Sequence, residues 1–160
     1  IRRIATGGET VVRRLMWQGE RMRWRIFHPI TLGARVILLK DNEVLLIRHT
    51  YREGWFFPGG GVDKGETLET AARRESEEEA HATIGELMLL GVYGTASEGK
   101  TDHIAIFYTR DFEIRAFTPN NEIAAREWFP LDALPDGLGP ADRRRLNELA
   151  AGGPPHGGAW

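Results

Sequence analysis

The sequence of 160 residues contains no cysteine. This absence excludes disulfide bonds and thiolate metal sites, and it is in keeping with a cytoplasmic location. The sequence also lacks an excess of one charge, since its formal net charge is only −2. We therefore expect no general affinity for nucleic acid or for an anionic membrane. No apolar run approaches the length that spans a bilayer, and no signal-peptide pattern opens the sequence.

The order of the predicted elements indicates an α/β fold with a mixed β-sheet. Strands precede a helix, and further strands precede a second helix, which is the order of a layered α/β domain. The strands are predicted at 31–39, 43–47, 86–95 and 103–110, and residues 112–117 are expected to extend the last of them. A chain of this length is expected to form a single domain over residues 1–160.

An N-terminal β-hairpin is predicted over residues 1–29, ahead of a core at 30–151. It contains a row of alternating arginines, Arg21, Arg23 and Arg25. Such a row either faces phosphates or forms a solvated strand face, and the solvated face is the more common arrangement.

The other end of the chain is predicted to combine a helix with a tail. Pro140 suits the first turn of a helix that runs to about Ala150. Residues 152–160 are rich in glycine and proline, and they are predicted to be disordered.

The segment Gly59–Ala82 combines a glycine-rich loop with a helix that carries a row of acids. Thr67 is expected to cap the helix, because its hydroxyl can accept a hydrogen bond from the first turn. At about 100° per residue, the side that should face the core carries Leu68, Ala71, Ala72, Glu75, Glu78 and Glu79. Three inward carboxylates would repel one another and would be unfavourable to bury. The pattern therefore predicts a site for a divalent cation such as Mg²⁺, which takes oxygen ligands.

The alternative is a helix whose glutamates pair only with basic neighbours such as Arg73 and Arg74. That arrangement is the usual one for an acidic run. The inward position of three acids and the glycine loop ahead of them favour the cation site.

The spacing of this segment resembles the signature of the Nudix hydrolases, which reads here Gly60, five residues, Glu66, seven residues and then Arg74-Glu75-x-x-Glu78-Glu79. Two positions differ from the family pattern. Ser76 stands where an apolar residue is expected, and His81 stands where a glycine is expected near the helix end. Neither position carries chemistry in the family, and the helix is expected to end without a glycine cap.

The resemblance implies a Nudix-type α/β/α sandwich across about residues 30–150, with the N-terminal β-hairpin added. It also implies an enzyme dependent on Mg²⁺ or Mn²⁺ that cleaves a nucleoside diphosphate linked to another moiety, giving a nucleoside monophosphate and the phosphorylated moiety. In many relatives an N-terminal hairpin serves dimerisation or substrate binding, so a homodimer through this hairpin is an expectation. The alternative is a catalytically silent nucleotide-binding regulator or sensor of the same fold. RNA 5′-end processing is disfavoured, because no basic stretch interleaved with aromatics lies outside the hairpin.

By similarity, the metal ligands are expected to be the main-chain carbonyl of one glycine and four acids: Gly59, Glu75, Glu78, Glu79 and Glu122. Glu122 lies six residues before Trp128, where relatives often carry an extra ligand or a residue that positions water. Glu75 and Glu122 are both candidates for the catalytic base. Arg74 is expected to orient the carboxylates, and Glu66 to hold the loop. The expected catalytic set is therefore Arg74, Glu75, Glu78 and Glu122.

Basic and aromatic residues just ahead of the glycine loop are candidates for substrate binding: Arg48, Tyr51, Arg52 and Trp55. Such side chains can bind phosphate and stack on a base. Tyr51 with Trp55 could enclose a base between them, and so could Tyr93 or Phe107. The alternative is that residues 55–57 belong to the core of a short strand. His49 is not expected to bind metal, because no His or Cys partner has suitable spacing. No feature identifies the substrate within the nucleoside diphosphate class.

Overall fold

The computed structural model describes residues 30–97 and 100–160. Its elements are, in order, β1 Ile30–Lys40, β2 Glu43–His49, β3 Gly59–Gly61, α1 Leu68–Ala80, β4 Ala82–Ile84, β5 Met88–Ser97, β6 Lys100–Thr109, β7 Phe112–Ile114, β8 Ile123–Pro130, α2 Pro140–Ala151 and β9 His156–Ala159. The predicted N-terminal hairpin lies outside the described residues. The assignment of the chain to one domain with an N-terminal extension stays a prediction.

Seven of the described strands form one mixed sheet. Their order is β8-β2-β1-β6-β5-β9, and β3 pairs with β1 outside this path. Strands β1 and β6 are parallel, as are β5 and β9, whereas the other neighbours are antiparallel. The prediction of an α/β fold with a mixed sheet is confirmed.

Helices α1 and α2 cover the two faces of this sheet. Successive side chains of a strand alternate between faces. Val36 and Leu38 of β1 therefore pack in a cluster that contains the buried alanines of α1. Ile37 and Leu39 pack in a second cluster, which contains Leu146 of α2. The predicted α/β/α sandwich is confirmed. Among the described residues, no helix has the length and apolar character needed to cross a membrane.

Strands β1 and β2 separate soon after the turn that joins them. They pair at only two positions next to that turn. Beyond it, β1 continues beside β6 and β3, and β2 continues beside β8. The segment 56–58 enters the gap, where the N–H of Val36 donates to the carbonyl of Pro58 at 2.9 Å. The glycine strand β3 is thereby held beside β1.

Both ends of α1 follow from the local sequence. Thr67 caps the N-terminus as predicted, with its Oγ1 accepting a hydrogen bond from the N–H of Thr70 at 3.0 Å. At the C-terminus, His81 adopts a φ of 51°, so a histidine takes the left-handed position that glycine usually fills. Its ring lies edge-on to Phe117, and its Nδ1 is 3.0 Å from the carbonyl oxygen of Ala116. These contacts help to hold the unusual backbone conformation.

Two predictions about the periphery are wrong. Residues 112–117 do not extend β6, because β7 pairs with β4 in a separate two-stranded sheet. Residues 152–160 are not a disordered tail, because β9 runs parallel to β5 and the N–H of Trp160 donates to the carbonyl of Gly94 at 2.9 Å. The rings of Trp160 and Tyr93 lie 6.3 Å apart. This aromatic contact helps to hold the tail in place, although its glycine-rich composition alone would favour disorder.

The substitution Gly91→Ala tests the pairing of β9 with β5. A Cβ at position 91 would lie 2.7 Å from the hydroxyl oxygen of Tyr93 and would collide with the carbonyl oxygen of His156. We expect a loss of about 1–3 kcal/mol of unfolding free energy, measured by denaturant unfolding, and faster hydrogen exchange in β9. Gly158→Ala is the matched control, because its Cβ would meet nothing within 4 Å. If Gly91→Ala behaved like this control, the pairing would be contradicted.

Candidate active site

A cleft of about 780 Å³ lies where β1 and β2 diverge. That volume is typical of sites for small molecules and cofactors. Its lining includes three carboxylates, of which Glu75 and Glu79 come from α1 and Glu122 comes from the loop before β8. It also includes two basic residues, Arg35 and Arg52. Acidic and basic residues therefore line the same cleft.

Glu79 is the most deeply buried of the three cleft acids. The residue is 6% exposed, and its Oε2 accepts a hydrogen bond from the N–H of Gly59 at 2.8 Å. Burial raises the pKa of Glu79 to about 8, and the charges of Glu75 and Glu122 act in the same direction. The Gly59 N–H and the charge of Arg35 offset only part of this rise. A neighbouring cation would therefore stabilise the ionised form of Glu79.

Glu75 has a raised pKa for a similar reason. Burial is the largest cause, and the charges of Glu78 and Glu122 add to it. Arg74 acts in the opposite direction, because its Nη1 donates to Oε1 of Glu75 at 2.6 Å. Glu75 is thus fixed by one cation and still surrounded by other acids.

Two glycines allow the backbone of β3 to approach these acids. A Cβ on Gly60 would lie 2.6 Å from Oε1 of Glu75. Gly59 has a φ of 150°, and a Cβ there would lie 2.6 Å from the Cα of Arg35. A larger residue at position 60 would displace the carboxylate of Glu75, and one at position 59 would displace the backbone of β1.

Arg74 ties α1 to the loop that precedes it. Its Nε and Nη2 donate to the two carboxylate oxygens of Glu66 at 2.8 and 3.0 Å, and Nη2 also donates to the carbonyl of Gly61 at 3.0 Å. Glu66 accepts a further hydrogen bond from the N–H of Asp63 at 3.0 Å. The bonds from Arg74 and then from Asp63 lower the pKa of Glu66 to about 2. Paired N–H···O bonds fix the plane of the guanidinium, so Arg74 reaches Glu75 in one orientation.

The prediction that Glu78 faces inward with its neighbours is wrong. The side chain of Glu78 is 59% exposed, and its Oε2 lies 3.4 Å from Nη1 of Arg74. The buried face of α1 includes Ser76 and Ala80, so its centre is rotated away from Glu78. Glu78 stands at the rim of the acidic cluster, where its charge still reaches Glu75.

Two of the four predicted substrate residues lie away from the cleft lining. Arg48 is exposed, and its Cζ lies 5.6 Å from the ring centroid of Trp55. Trp55 packs against the core cluster on the α2 side of the sheet, with its ring 4.8 Å from that of Phe129. The prediction that Trp55 and Tyr51 enclose a base is therefore wrong. Tyr51 and Arg52 do line the cleft.

Phe56 and His49 line the cleft, although the sequence patterns did not single them out. Strand alternation indicates Phe56, because Trp55 and Phe57 both face the core cluster and the residue between them must face away. The ring of His49 lies 5.1 Å from Tyr51 and 5.6 Å from Phe56. Burial, and then the charges of Arg52 and Arg35, lower the pKa of His49 to about 4. The imidazole is therefore neutral at physiological pH.

Glu122 is placed by its own loop. Its N–H donates to Oδ1 of Asn120 at 2.8 Å, and its carbonyl accepts a hydrogen bond from the N–H of Thr50 at 2.8 Å. The loop before β8 is thus attached to the chain just beyond β2. This attachment brings Glu122 to the cleft that the acids of α1 line.

The negative charges of the three cleft acids suit a divalent cation, but their side chains do not form a complete set of metal ligands. In the described parts of the chain, no three acidic or imidazole side chains are arranged to hold an ion by themselves. Mg²⁺ generally keeps several waters and binds substrate phosphates through one or two carboxylates. Glu75 and Glu122 both raise the pKa of Glu79, and a nearby divalent charge would remove this effect.

A sequence model of the NUDIX domain matches residues 29–149. The chain belongs to the Nudix family. A putative 8-oxo-dGTP diphosphatase of Bacillus subtilis is 31% identical over 123 residues, which cover 76% of this chain and 81% of that protein. An ADP-ribose pyrophosphatase of Methanocaldococcus jannaschii is 27% identical over 132 residues, which cover 80% and 78%. The crystal structure of a MutT Nudix hydrolase from Burkholderia pseudomallei aligns with a TM-score of 0.67 and 30% identity, over 75% of this chain and 98% of that chain.

This Nudix chain is an enzyme of the pyrophosphohydrolase class, as its family and named relatives indicate. The Nudix family generally uses divalent metal ions.

The raised pKa of Glu79 predicts a specific dependence of stability on pH. Folding favours the neutral acid, so its contribution to stability is full below pH 4.5, the ordinary pKa, and is lost as the pH rises through about 8. In EDTA, we expect wild type to lose unfolding free energy between about pH 5 and pH 8, and Glu79→Gln to lose less. Denaturant unfolding across this range measures the difference. Glu78→Gln, at an exposed position of the same helix, should follow wild type, and identical profiles for wild type and Glu79→Gln would contradict the assignment.

Proposed function

We propose that this Nudix enzyme hydrolyses a nucleoside diphosphate linked to another moiety, with Mg²⁺ or Mn²⁺ as its cofactor. The observation that carries the proposal is the crowding of Glu75, Glu79 and Glu122 around one cleft, where two of these acids have raised pKa values. The relatives named for 8-oxo-dGTP and for ADP-ribose support a nucleotide-like substrate.

In the proposed reaction, water attacks one phosphorus of the anhydride. The bond from that phosphorus to the bridging oxygen breaks, and the products are a nucleoside monophosphate and the phosphorylated moiety. When bound, the metal would neutralise phosphate oxygens and lower the pKa of a coordinated water. The expected ligands remain the main chain of Gly59 and the side chains of Glu75, Glu78, Glu79 and Glu122.

The contacts of these residues support distinct roles. The N–H of Gly59 holds Oε2 of Glu79, while Oε1 of Glu79 lies 3.8 Å from Nδ1 of His49. Arg74 holds Glu75 and is itself held by Glu66. The base that takes the proton of water is Glu75 or Glu122, and the raised pKa of Glu75 makes its carboxylate the stronger base for that transfer.

The aromatic and basic part of the lining is proposed to bind the nucleoside side of the substrate. Tyr51 and Phe56 offer ring faces or edges to a base. Arg52 offers a cation, and its Cζ lies 4.2 Å from the ring centroid of Phe56. Arg48 and Trp55 are left out of this set because they do not line the cleft.

Two further parts of the proposal rest on the sequence. The absence of cysteine supports a cytoplasmic site of action. Dimerisation through the predicted hairpin at residues 1–29 stays a prediction.

A substrate panel tests the proposed activity. Purified protein would be incubated with Mg²⁺ or Mn²⁺ and with ADP-ribose, nucleoside diphosphate sugars, dinucleoside polyphosphates, oxidised nucleoside triphosphates and a 5′-triphosphorylated RNA oligomer. We expect metal-dependent release of a nucleoside monophosphate from at least one small substrate, and none in EDTA. Tight nucleotide binding without turnover of any member would instead support the silent sensor.

Substitutions on α1 test the residue assignments. Glu75→Gln, Glu78→Gln and Glu79→Gln are each expected to lower metal-dependent kcat by about 10²-fold or more, while circular dichroism shows a folded protein. Glu77→Gln is the matched control on the same helix, because Glu77 bonds to Thr83 and Arg115 away from the cleft. Near wild-type turnover in Glu78→Gln or Glu79→Gln would count against the metal assignment.

A further inference from the structure

Arg35 of β1 is a largely buried cation with unused hydrogen-bonding capacity. Its side chain is 19% exposed and lines the cleft. A guanidinium carries five N–H donors, yet the guanidinium of Arg35 donates no hydrogen bond to any part of the chain that the structure describes. By contrast, Arg74 bonds to Glu66, Glu75 and Gly61. The guanidinium nitrogens of Arg35 are not fully enclosed, so a ligand that enters the cleft can accept hydrogen bonds from them.

Two neighbours hold the guanidinium of Arg35 without using its donors. Its Nη1 lies 3.5 Å from Oδ1 of Asp142, a buried residue of α2, and that Oδ1 accepts no hydrogen bond from the described residues. The Cζ of Arg35 lies 5.0 Å from the ring centroid of Trp160. Charge attraction and ring stacking therefore position the cation, and its N–H groups stay available to a ligand.

A second arginine makes this part of the cleft locally positive. Arg52 lines the same cleft, and the charges of Arg35 and Arg52 both act on His49 and on Asp142. The cleft thus has an acidic part on α1 that suits a cation and a basic part on β1 and the following loop that suits an anion.

We propose that Arg35, with Arg52, forms an anion subsite that binds a phosphate of the substrate other than the metal-bound diphosphate. The proposal rests on the proposed function for the identity of the anion as a phosphate. It assigns the preferred substrates to compounds that carry a third phosphate or an anion placed like one. A nucleoside diphosphate joined to an uncharged sugar would bring no such anion to Arg35.

The test is binding of inorganic tripolyphosphate in EDTA, followed by calorimetry or by the fluorescence of the tryptophans. Without a divalent ion, the acidic part of the cleft repels the probe, so binding reports the basic part. The informative comparison is Asp142→Asn against the double variant Arg35→Gln/Asp142→Asn. These two differ only at Arg35, and the double variant leaves no buried carboxylate without its partner.

We expect Asp142→Asn to bind tripolyphosphate at least as tightly as wild type, because a negative charge near the probe is removed. The double variant should bind about tenfold more weakly or worse, as expected for the loss of charge-assisted hydrogen bonds. Arg48→Gln is the matched charge control, since it removes an exposed arginine outside the cleft lining, and it should leave the Kd unchanged within about twofold. Thermal unfolding checks that each variant is folded.

Equal affinities of Asp142→Asn and the double variant would overturn the subsite, as would an equal loss from Arg48→Gln. The assay contains neither metal nor turnover, so it separates this inference from the proposed function. An inactive protein that binds tripolyphosphate through Arg35 would contradict only the hydrolase proposal. An active hydrolase whose double variant keeps full affinity would contradict only the subsite.

Discussion

A carboxylate held almost out of water, that of Glu79, sets the condition that the rest of the site must meet. An ionised acid in such a place is unfavourable unless hydrogen bonds or cations compensate for the lost hydration. The N–H of Gly59 supplies one hydrogen bond, and it can approach only because residue 59 has no side chain. A nearby cation would provide the remaining stabilisation of the ionised form. The glycine loop and the use of divalent metals in the Nudix family therefore answer the same energetic requirement.

The sheet and the helix bring these groups together by close packing. The divergence of β1 and β2 leaves room for the segment that leads into β3. Ala71 and Ala72 are fully buried on the inner face of α1, and their small size lets the helix lie close to the sheet. One turn further along, the same helix carries Glu75 and Glu79 to the edge of the glycine strand. A single helix thus provides both packing and chemistry.

Local patterns in the sequence predict most of the fold and the centre of the site. The spacing from Gly60 to Glu79 is a local property of one loop and one helix, so it can be recognised without the structure. Glu78 was misplaced because the wheel was centred on Leu68, Ala71 and Ala72, whereas the buried Ser76 and Ala80 move the centre of the inner face away from Glu78. The roles of Trp55 and Phe56 were exchanged because aromatic character was given more weight than strand alternation.

Other features depend on partners far along the chain, and no local pattern contains them. Strand β9 is ordered by β5 and by the packing of Trp160 on Tyr93, whereas its own composition predicts disorder. The position of Arg35 relative to Asp142 depends on how α2 packs on the sheet. Pairings of this kind become visible only when the elements are assembled.

The parallel pairing of β1 with β6 has a consequence for how the protein is made. It extends from Ile30 beside Thr101 to Leu38 beside Thr109. Parallel strands need a long crossover, and here the crossover contains the glycine loop and all of α1. Contacts between segments this distant slow folding, because the chain between them must be ordered before they form. During synthesis, this pairing cannot form until β6 has left the ribosome, so the centre of the sheet beside the cleft is completed only then.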